Sequence, residues 1–278
     1  MNENEKKNIG KWFKMLFFII ILIGAGYFFG SICEKIGESY DLIFTPSKEL
    51  LTLLLWFILA FFAVMVGSGL VAALVRPTWF GIIAFVLSGL AMLIGWQVTI
   101  GSCILVLIYI LISAFYVINV VKEMNQRIKF SVSPISGGQA ILSIVLILLV
   151  CGSIYFPYSE YIKEEGFSIP EFYIEKLMEQ MEKRIGAQFS PLQQRMAINE
   201  FREEFNKIID GLIERIKPYE KFIPIAISLG LFMPLVTITR LLFWIPAGIL
   251  SIIFLLLKAL GLTKTVSETK EVQRLVIS

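Results

Sequence analysis

Residues 78–121 form the stretch TWFGIIAFVLSGLAMLIGWQVTIGSCILVLIYILISAFYVINVV, which contains no formally charged side chain. As one helix, these 44 residues would measure about 66 Å at a rise of 1.5 Å per residue. The hydrocarbon core of a bilayer is only about 30 Å thick. We therefore expect two membrane-spanning helices separated by a break at 97–99. Trp79 and Trp96 would then lie near the two membrane interfaces, where tryptophan is enriched.

The rest of the chain has the same apolar character. Of its 278 residues, 57% are hydrophobic and only 17% are charged, and the mean hydropathy is +0.78. A soluble domain carries about 25% charged residues. The apolar residues also fall into runs long enough to cross a bilayer. The sequence thus predicts an all-α, polytopic transmembrane bundle of about seven spans, near residues 15–33, 50–75, 78–96, 100–121, 139–156, 222–239 and 242–261.

The chain divides into three regions by composition. Residues 1–157 form a five-span membrane region, and residues 222–278 form a two-span hairpin with a short polar tail. Between them, residues 158–221 carry 10 basic and 13 acidic side chains, which predicts a polar, extracytoplasmic insert.

Two helices are expected within the insert, over Ser168–Ile185 and Ser190–Lys217. Each begins with a capping box, in which a serine is followed three residues later by Glu171 or Gln193. The pattern therefore predicts a helical hairpin.

The second insert helix has one narrow apolar face. Its members step by four, three, four and four residues, which is helical spacing. We expect helix–helix contact here, either within the hairpin or with a partner protein. A membrane-surface role is less favoured because the charge on the helix is mixed. The candidate partner-contact face consists of Phe201, Phe205, Ile208, Leu212 and Ile216.

The charges predict an orientation. Cytoplasmic loops of membrane proteins carry an excess of lysine and arginine. With the N-terminus inside, the short inner segments hold nine basic residues and the outer ones hold two, which places the insert outside. A prokaryotic cell (inner) membrane, with the N-terminus cytoplasmic, is the expected location.

The basic tail leaves two span counts open. Seven spans place Lys258, Lys264, Lys270 and Arg274 outside. Six spans, with 222–239 at the surface or re-entrant, place the tail inside but Arg240 outside. We favour seven because residues 222–239 contain no charge.

The sequence lacks residues that several kinds of catalysis, metal binding and coupled transport require. The chain has no histidine, and Cys33, Cys103 and Cys151 have no metal-ligand spacing, so we expect these cysteines to be small buried residues. No acidic residue lies inside a proposed span, which disfavours proton-coupled transport. A net charge of +3 gives no reason to expect nucleic acid binding. We expect no enzyme activity, catalytic residue, cofactor or metal.

Two functions remain. The favoured one is a non-catalytic scaffold or assembly protein that binds a membrane or extracytoplasmic partner through the insert. The alternative is a channel or transporter for a neutral or lipidic solute, suggested by Pro224, Pro234 and Pro246. Small residues four apart should serve helix packing within the chain, at Gly26–Gly30, Gly69–Ala73, Ala226–Gly230 and Ala247–Ser251.

Overall fold

The computed structural model describes residues 3–39, 47–127, 131–167, 174–176, 178–179 and 191–263. Throughout these ranges the regular structure is helical, and no strand occurs in them. The helices are α1 (Glu3–Glu38), α2 (Lys48–Leu74), α3 (Thr78–Ile94), α4 (Ile100–Gln126), α5 (Ser133–Glu165), α6 (Pro191–Ile216), α7 (Ile223–Leu241) and α8 (Trp244–Ala259), with a 3-10 helix at Lys217–Phe222 between α6 and α7.

Five helical stretches among the described residues are long and apolar enough to cross a membrane. They are Trp12–Glu38, Lys48–Leu74, Ile100–Gln126, Ser133–Glu165 and the continuous run Glu203–Ala259. The apolar helix α3 has 17 residues, or about 26 Å of helix. The all-helical class with membrane-compatible helices is therefore confirmed, whereas the count of seven spans is not.

The apolar stretch 78–121 breaks where the sequence predicts. Helix α3 ends at Ile94, and α4 begins at Ile100. The side chain of Thr99 accepts a hydrogen bond from the Ser102 amide at 3.1 Å, which caps α4.

Helix α5 is longer than its predicted span of 139–156. It starts with Pro134 in its first turn, where proline is tolerated, and continues past Pro157 to Glu165. The helix thus runs through the expected boundary between membrane region and insert.

Helix α1 packs on α2, α3 and α5, antiparallel to α2 and parallel to α3. Gly30 permits the close approach of α3, because a β-carbon there would overlap the main-chain carbonyl of Met92. Helix α4 packs between α3 and α5. Each helix from α2 to α5 runs antiparallel to the helix that precedes it in the sequence.

Helix α7 packs antiparallel to α5, with the Ser228 hydroxyl 3.4 Å from the Cys151 carbonyl oxygen. It therefore ends near the start of α5. Leu242 and Phe243 then keep right-handed helical torsion angles, at φ −91°, ψ 0° and φ −61°, ψ −26°. The chain bends there, and α8 packs on α2 instead of pairing with α7.

Both ends of α8 lie at the end of the bundle where α1 begins, here called the N-terminal end. Leu250 of α8 is fully buried against Gly69 near the end of α2 and Ile135 near the start of α5. Past the helix, the Leu262 carbonyl oxygen accepts a hydrogen bond from the Lys14 ammonium at 3.4 Å. In a seven-span arrangement, Leu262 would lie at the opposite end of the bundle.

Candidate functional site

A group of buried polar side chains lies in the core of the bundle, and we call it the polar cluster. Its members come from four helices and are all buried. They are Ser68 of α2, Ser88 of α3, Tyr109, Ser113 and Tyr116 of α4, and Gln139 of α5.

One half of the polar cluster joins α2 to α5. The Gln139 amide donates to the Met65 carbonyl oxygen and, at 3.2 Å, to the Ser68 hydroxyl oxygen. The Ser68 hydroxyl donates to the same carbonyl at 2.8 Å. The Tyr116 hydroxyl lies beside Ser68 and Gln139 but makes no hydrogen bond of ordinary geometry.

The other half joins α1, α3 and α4. The Ser88 hydroxyl donates to the Leu22 carbonyl oxygen at 3.1 Å and lies 3.4 Å from the Tyr109 hydroxyl. Ser113 lies next to Tyr109, and its buried hydroxyl has no hydrogen-bond partner. These contacts are between helices, so they fix the relative positions of the three helices along their axes.

The chemistry available to the polar cluster is limited to hydrogen bonding by hydroxyl and amide groups. None of its members is an acid or base that titrates near neutral pH. Fully buried apolar side chains surround it, including Leu22, Met65 and Phe85. Leu250 and Ile135 contact Gly69, which is next to Ser68 in the sequence. We assign the cluster a structural role.

Sequence reasoning missed the polar cluster. The sequence pattern does not single out Ser68 as a hydrogen-bonding residue, and it places Gln139 at the start of the predicted span 139–156. A signal was present in α4, because Tyr109, Ser113 and Tyr116 step by four and three residues and so share one helix face.

The residues of the predicted partner-contact face on α6 differ in their exposure to solvent. Ile208 is 60% exposed and Leu212 is 42% exposed, whereas Phe205 and Ile216 are half-buried. The side chain of Phe201 lies outside the described residues. Ile209 and Ile213, which the sequence did not single out, are also half-buried.

Helix α6 begins at Pro191 and ends at Ile216, in close agreement with the predicted Ser190–Lys217. Of the first insert helix, residues 174–176 and 178–179 are described and are helical. Met178 is buried there and Ile174 is half-buried, whereas Glu175, Lys176 and Glu179 are exposed. The other parts of Ser168–Ile185, including the predicted cap at Ser168, lie outside the described residues.

The two ends of the insert meet at the end of the bundle opposite the N-terminal end. The Phe167 amide, just after α5, donates to the Glu220 carboxylate in the 3-10 helix. The insert therefore leaves and rejoins the bundle at the same place.

The expected burial of the cysteines is correct for Cys33 and Cys151 but wrong for Cys103, which is exposed. Cys103 lies on the outer surface of α4, in a shallow apolar groove with Ile104 and Leu107. The helix periodicity turns this position outward although its neighbour Ser102 is fully buried. Among the described residues, no group of three potential metal ligands comes together.

The small-residue pairs also have mixed outcomes. Gly26 and Gly30 contact α3, and Gly69 contacts Leu250 and Ile135, as predicted for packing within the chain. Ala226, Gly230 and Ser251 are exposed instead. Those later positions do not serve close packing within the described part of the chain.

The described part of the chain is all-helical, and several of its helices are apolar and long enough to be compatible with a membrane. Comparison of the chain with family models, curated proteins and solved structures finds no match.

Proposed function

We propose an integral protein of a prokaryotic cell membrane with six crossings, formed by α1 to α5 and α7. Both ends of the chain are cytoplasmic, and the insert is extracytoplasmic. The contact between Lys14 and Leu262 supports this arrangement because it joins the two ends of the described chain on one side of the bundle.

The distribution of charge supports the same arrangement. Apart from the insert, 13 of the 15 lysine and arginine residues fall on the cytoplasmic side once the tail lies beside Lys14. Arg240 also falls there, since α7 ends at the N-terminal end of the bundle. Seven spans would place the basic tail outside, against the positive-inside rule, whereas six crossings satisfy that rule.

The side of the tail can be tested with Ser278→Cys in a background lacking the three native cysteines. In intact cells we expect a membrane-impermeant maleimide to label Glu203→Cys of the insert but to label Ser278→Cys only after permeabilisation. Labelling of Ser278→Cys in intact cells would contradict six crossings.

For activity, we propose a non-catalytic scaffold or assembly factor whose insert docks a helix of another membrane or extracytoplasmic protein. The observation that carries this proposal is the exposed apolar pair Ile208 and Leu212 on α6, a helix otherwise rich in exposed charges. These positions are four apart and therefore adjacent on one helix face. An apolar pair at this spacing fits the groove of a partner helix.

The interior of the bundle adds support. Leu22, Phe61, Val64 and Phe85 are fully buried from several helices, so side chains fill the middle of the described bundle. This packing favours a scaffold over the alternative of a channel or transporter for a neutral or lipidic solute. Solute flux through purified protein in liposomes would revive that alternative.

The docking proposal can be tested with a photocrosslinking amino acid placed at single positions of α6 in living cells. We expect position 208 or 212 to give a discrete adduct with one partner. Asp210 is exposed on the same helix and is the matched control position, where we expect no adduct.

A second variant separates docking from folding. Ile208→Glu combined with Leu212→Glu should abolish the adduct from a crosslinker at position 204, while membrane insertion and protein level stay unchanged. The proposal is wrong if adducts form equally at all positions, or if the double variant keeps the adduct.

A further inference from the structure

We propose that α8 lies within the cytoplasmic leaflet, parallel to the membrane plane, and that it binds a surface of anionic phospholipid. This inference rests on the six-crossing arrangement proposed above, which places α8 at the cytoplasmic side. It goes further by assigning a depth and a lipid class to the helix.

Helix α8 is apolar on both of its sides. Pro246, Leu250 and Phe254 are buried on the bundle, at a spacing of four residues. On the other side, Trp244, Leu255 and Leu256 have exposed fractions of 71%, 68% and 51%. Exposing such an apolar face to water is energetically unfavourable, whereas contact with lipid acyl chains is favourable.

Neighbouring aromatic residues mark the level at which α8 lies. Tryptophan concentrates at the boundary between headgroups and hydrocarbon. Trp12 and Trp79 are both about half-exposed at the N-terminal end, and each contacts the ring of Phe80. Trp244 begins α8 at the same end of the bundle, so the helix starts at the level of an interfacial tryptophan belt.

The charge at this end of the bundle fits an anionic surface. Among the described side chains there, six are basic and one, Glu123, is acidic. Glu123 forms an ion pair with Arg127. The other basic residues are Lys14, Arg76, Lys122, Arg240 and Lys258.

Among the described side chains at the opposite end of the bundle, acidic ones outnumber basic ones. Phosphate groups of anionic lipids attract lysine and arginine close to a membrane surface. Arg240 precedes α8, Lys258 lies in its last turn, and Lys14 bonds to the carbonyl just beyond it. Cations therefore lie at both ends of the helix.

The depth of α8 can be measured with single spin labels in the cysteine-free protein, reconstituted in nanodiscs of phosphatidylcholine and phosphatidylglycerol. Labels are placed at four exposed positions, as Trp244→Cys, Ile252→Cys, Leu255→Cys and Leu260→Cys. Collision rates with oxygen and with a water-soluble nickel chelate report the depth of each label. We expect all four to lie at a similar, shallow depth.

Helix α7 provides the matched control. Its exposed positions Ile225, Leu229, Met233 and Leu241, substituted in the same way, should show depth that changes steadily along the helix, as a crossing requires. If the α8 series changes in the same steady way, the inference is wrong. It is also wrong if the α8 labels are fully accessible to the nickel chelate.

The lipid class is tested by the preference of the protein for spin-labelled phosphatidylglycerol over phosphatidylcholine. We expect the triple variant Lys14→Gln, Arg240→Gln, Lys258→Gln to lower this preference by about twofold or more. The triple variant Lys35→Gln, Lys48→Gln, Lys221→Gln, at the opposite end, should leave it unchanged. Equal effects of the two variants would overturn the anionic-lipid assignment.

These outcomes are distinct from failure of the proposed topology. Labelling of Ser278→Cys from outside the cell would overturn the six crossings. A cytoplasmic tail combined with solvent-accessible α8 labels would overturn only the inference about the leaflet.

Discussion

Single atoms decide how closely the helices of this bundle approach one another. At Gly30 the main chain of α3 lies where a β-carbon of α1 would otherwise be. At Gly24, six residues earlier on the same helix, nothing lies within 4 Å of such an atom. The two glycines are therefore a matched pair for testing the α1–α3 contact.

We expect Gly30→Ala to lower the free energy of unfolding by about 1–3 kcal/mol, because the added methyl group must push two main chains apart. Gly24→Ala should be neutral or raise stability by about 0.5–1 kcal/mol, since alanine favours the helix. Thermal unfolding of the purified variants in one detergent would measure both. Equal effects would contradict the proposed close contact.

A second residue-scale prediction concerns the polar cluster. Gln139→Leu should cost about 1 kcal/mol, the usual range for a hydrogen bond between membrane helices, because it removes the donor that joins α5 to α2. Tyr116→Phe should cost little, since its hydroxyl has no partner to lose. If Tyr116→Phe costs as much as Gln139→Leu, the tyrosine hydroxyl is hydrogen-bonded in the folded protein.

At the scale of elements, α8 is held differently from α1 to α5. Those five helices each pack on at least two others, whereas α8 packs chiefly on α2. Leu250 is the fully buried residue of this contact, and its side chain fits against Gly69. Helix α8 should therefore detach before the rest of the bundle unfolds.

Leu250→Ala is expected to weaken the docking of α8 by about 2–5 kcal/mol, the range for deleting a buried leucine side chain. Hydrogen exchange followed by mass spectrometry should show faster exchange over residues 244–262 and unchanged exchange in α1 to α5. Ser251→Ala, at an exposed position of the same helix outside the apolar lipid-facing set, is the control and should alter neither. Faster exchange throughout the protein would show that α8 is part of one cooperative unit.

At the scale of the whole molecule, the insert separates two parts of the chain that pack on each other. Helices α7 and α8 contact α5 and α2, which precede the insert in the sequence. Lys207 and Arg215 of the insert are exposed and neither precedes a proline, so trypsin can cut after them. Cleavage there leaves the contacts between the two parts in place.

We accordingly expect brief trypsin treatment in mild detergent to cut the insert and leave two fragments that elute together on size exclusion. The same sample should show two separate bands after denaturation in sodium dodecyl sulfate, which verifies the cut. Elution of the fragments at separate volumes would contradict the packing of α7 and α8 on the N-terminal helices.

The helical class and several helix ends could be predicted from the amino-acid sequence. The breaks at 75–77 and 95–99 and the extent of α6 follow from proline, capping residues and runs of apolar side chains. These signals are local, since each depends on residues within a few positions. Helix existence could therefore be predicted without knowledge of any contact.

The position of α8 and the contacts between polar groups in the core could not be predicted in this way, because they depend on the packing of the folded chain. The contact of Leu250 with Gly69 joins residues far apart in the sequence, as does the bond between Gln139 and Met65. An apolar helix has the same composition whether it crosses a bilayer or lies along one side of it. Its position depends on which other helix offers a complementary surface, and that surface exists only once the chain has folded.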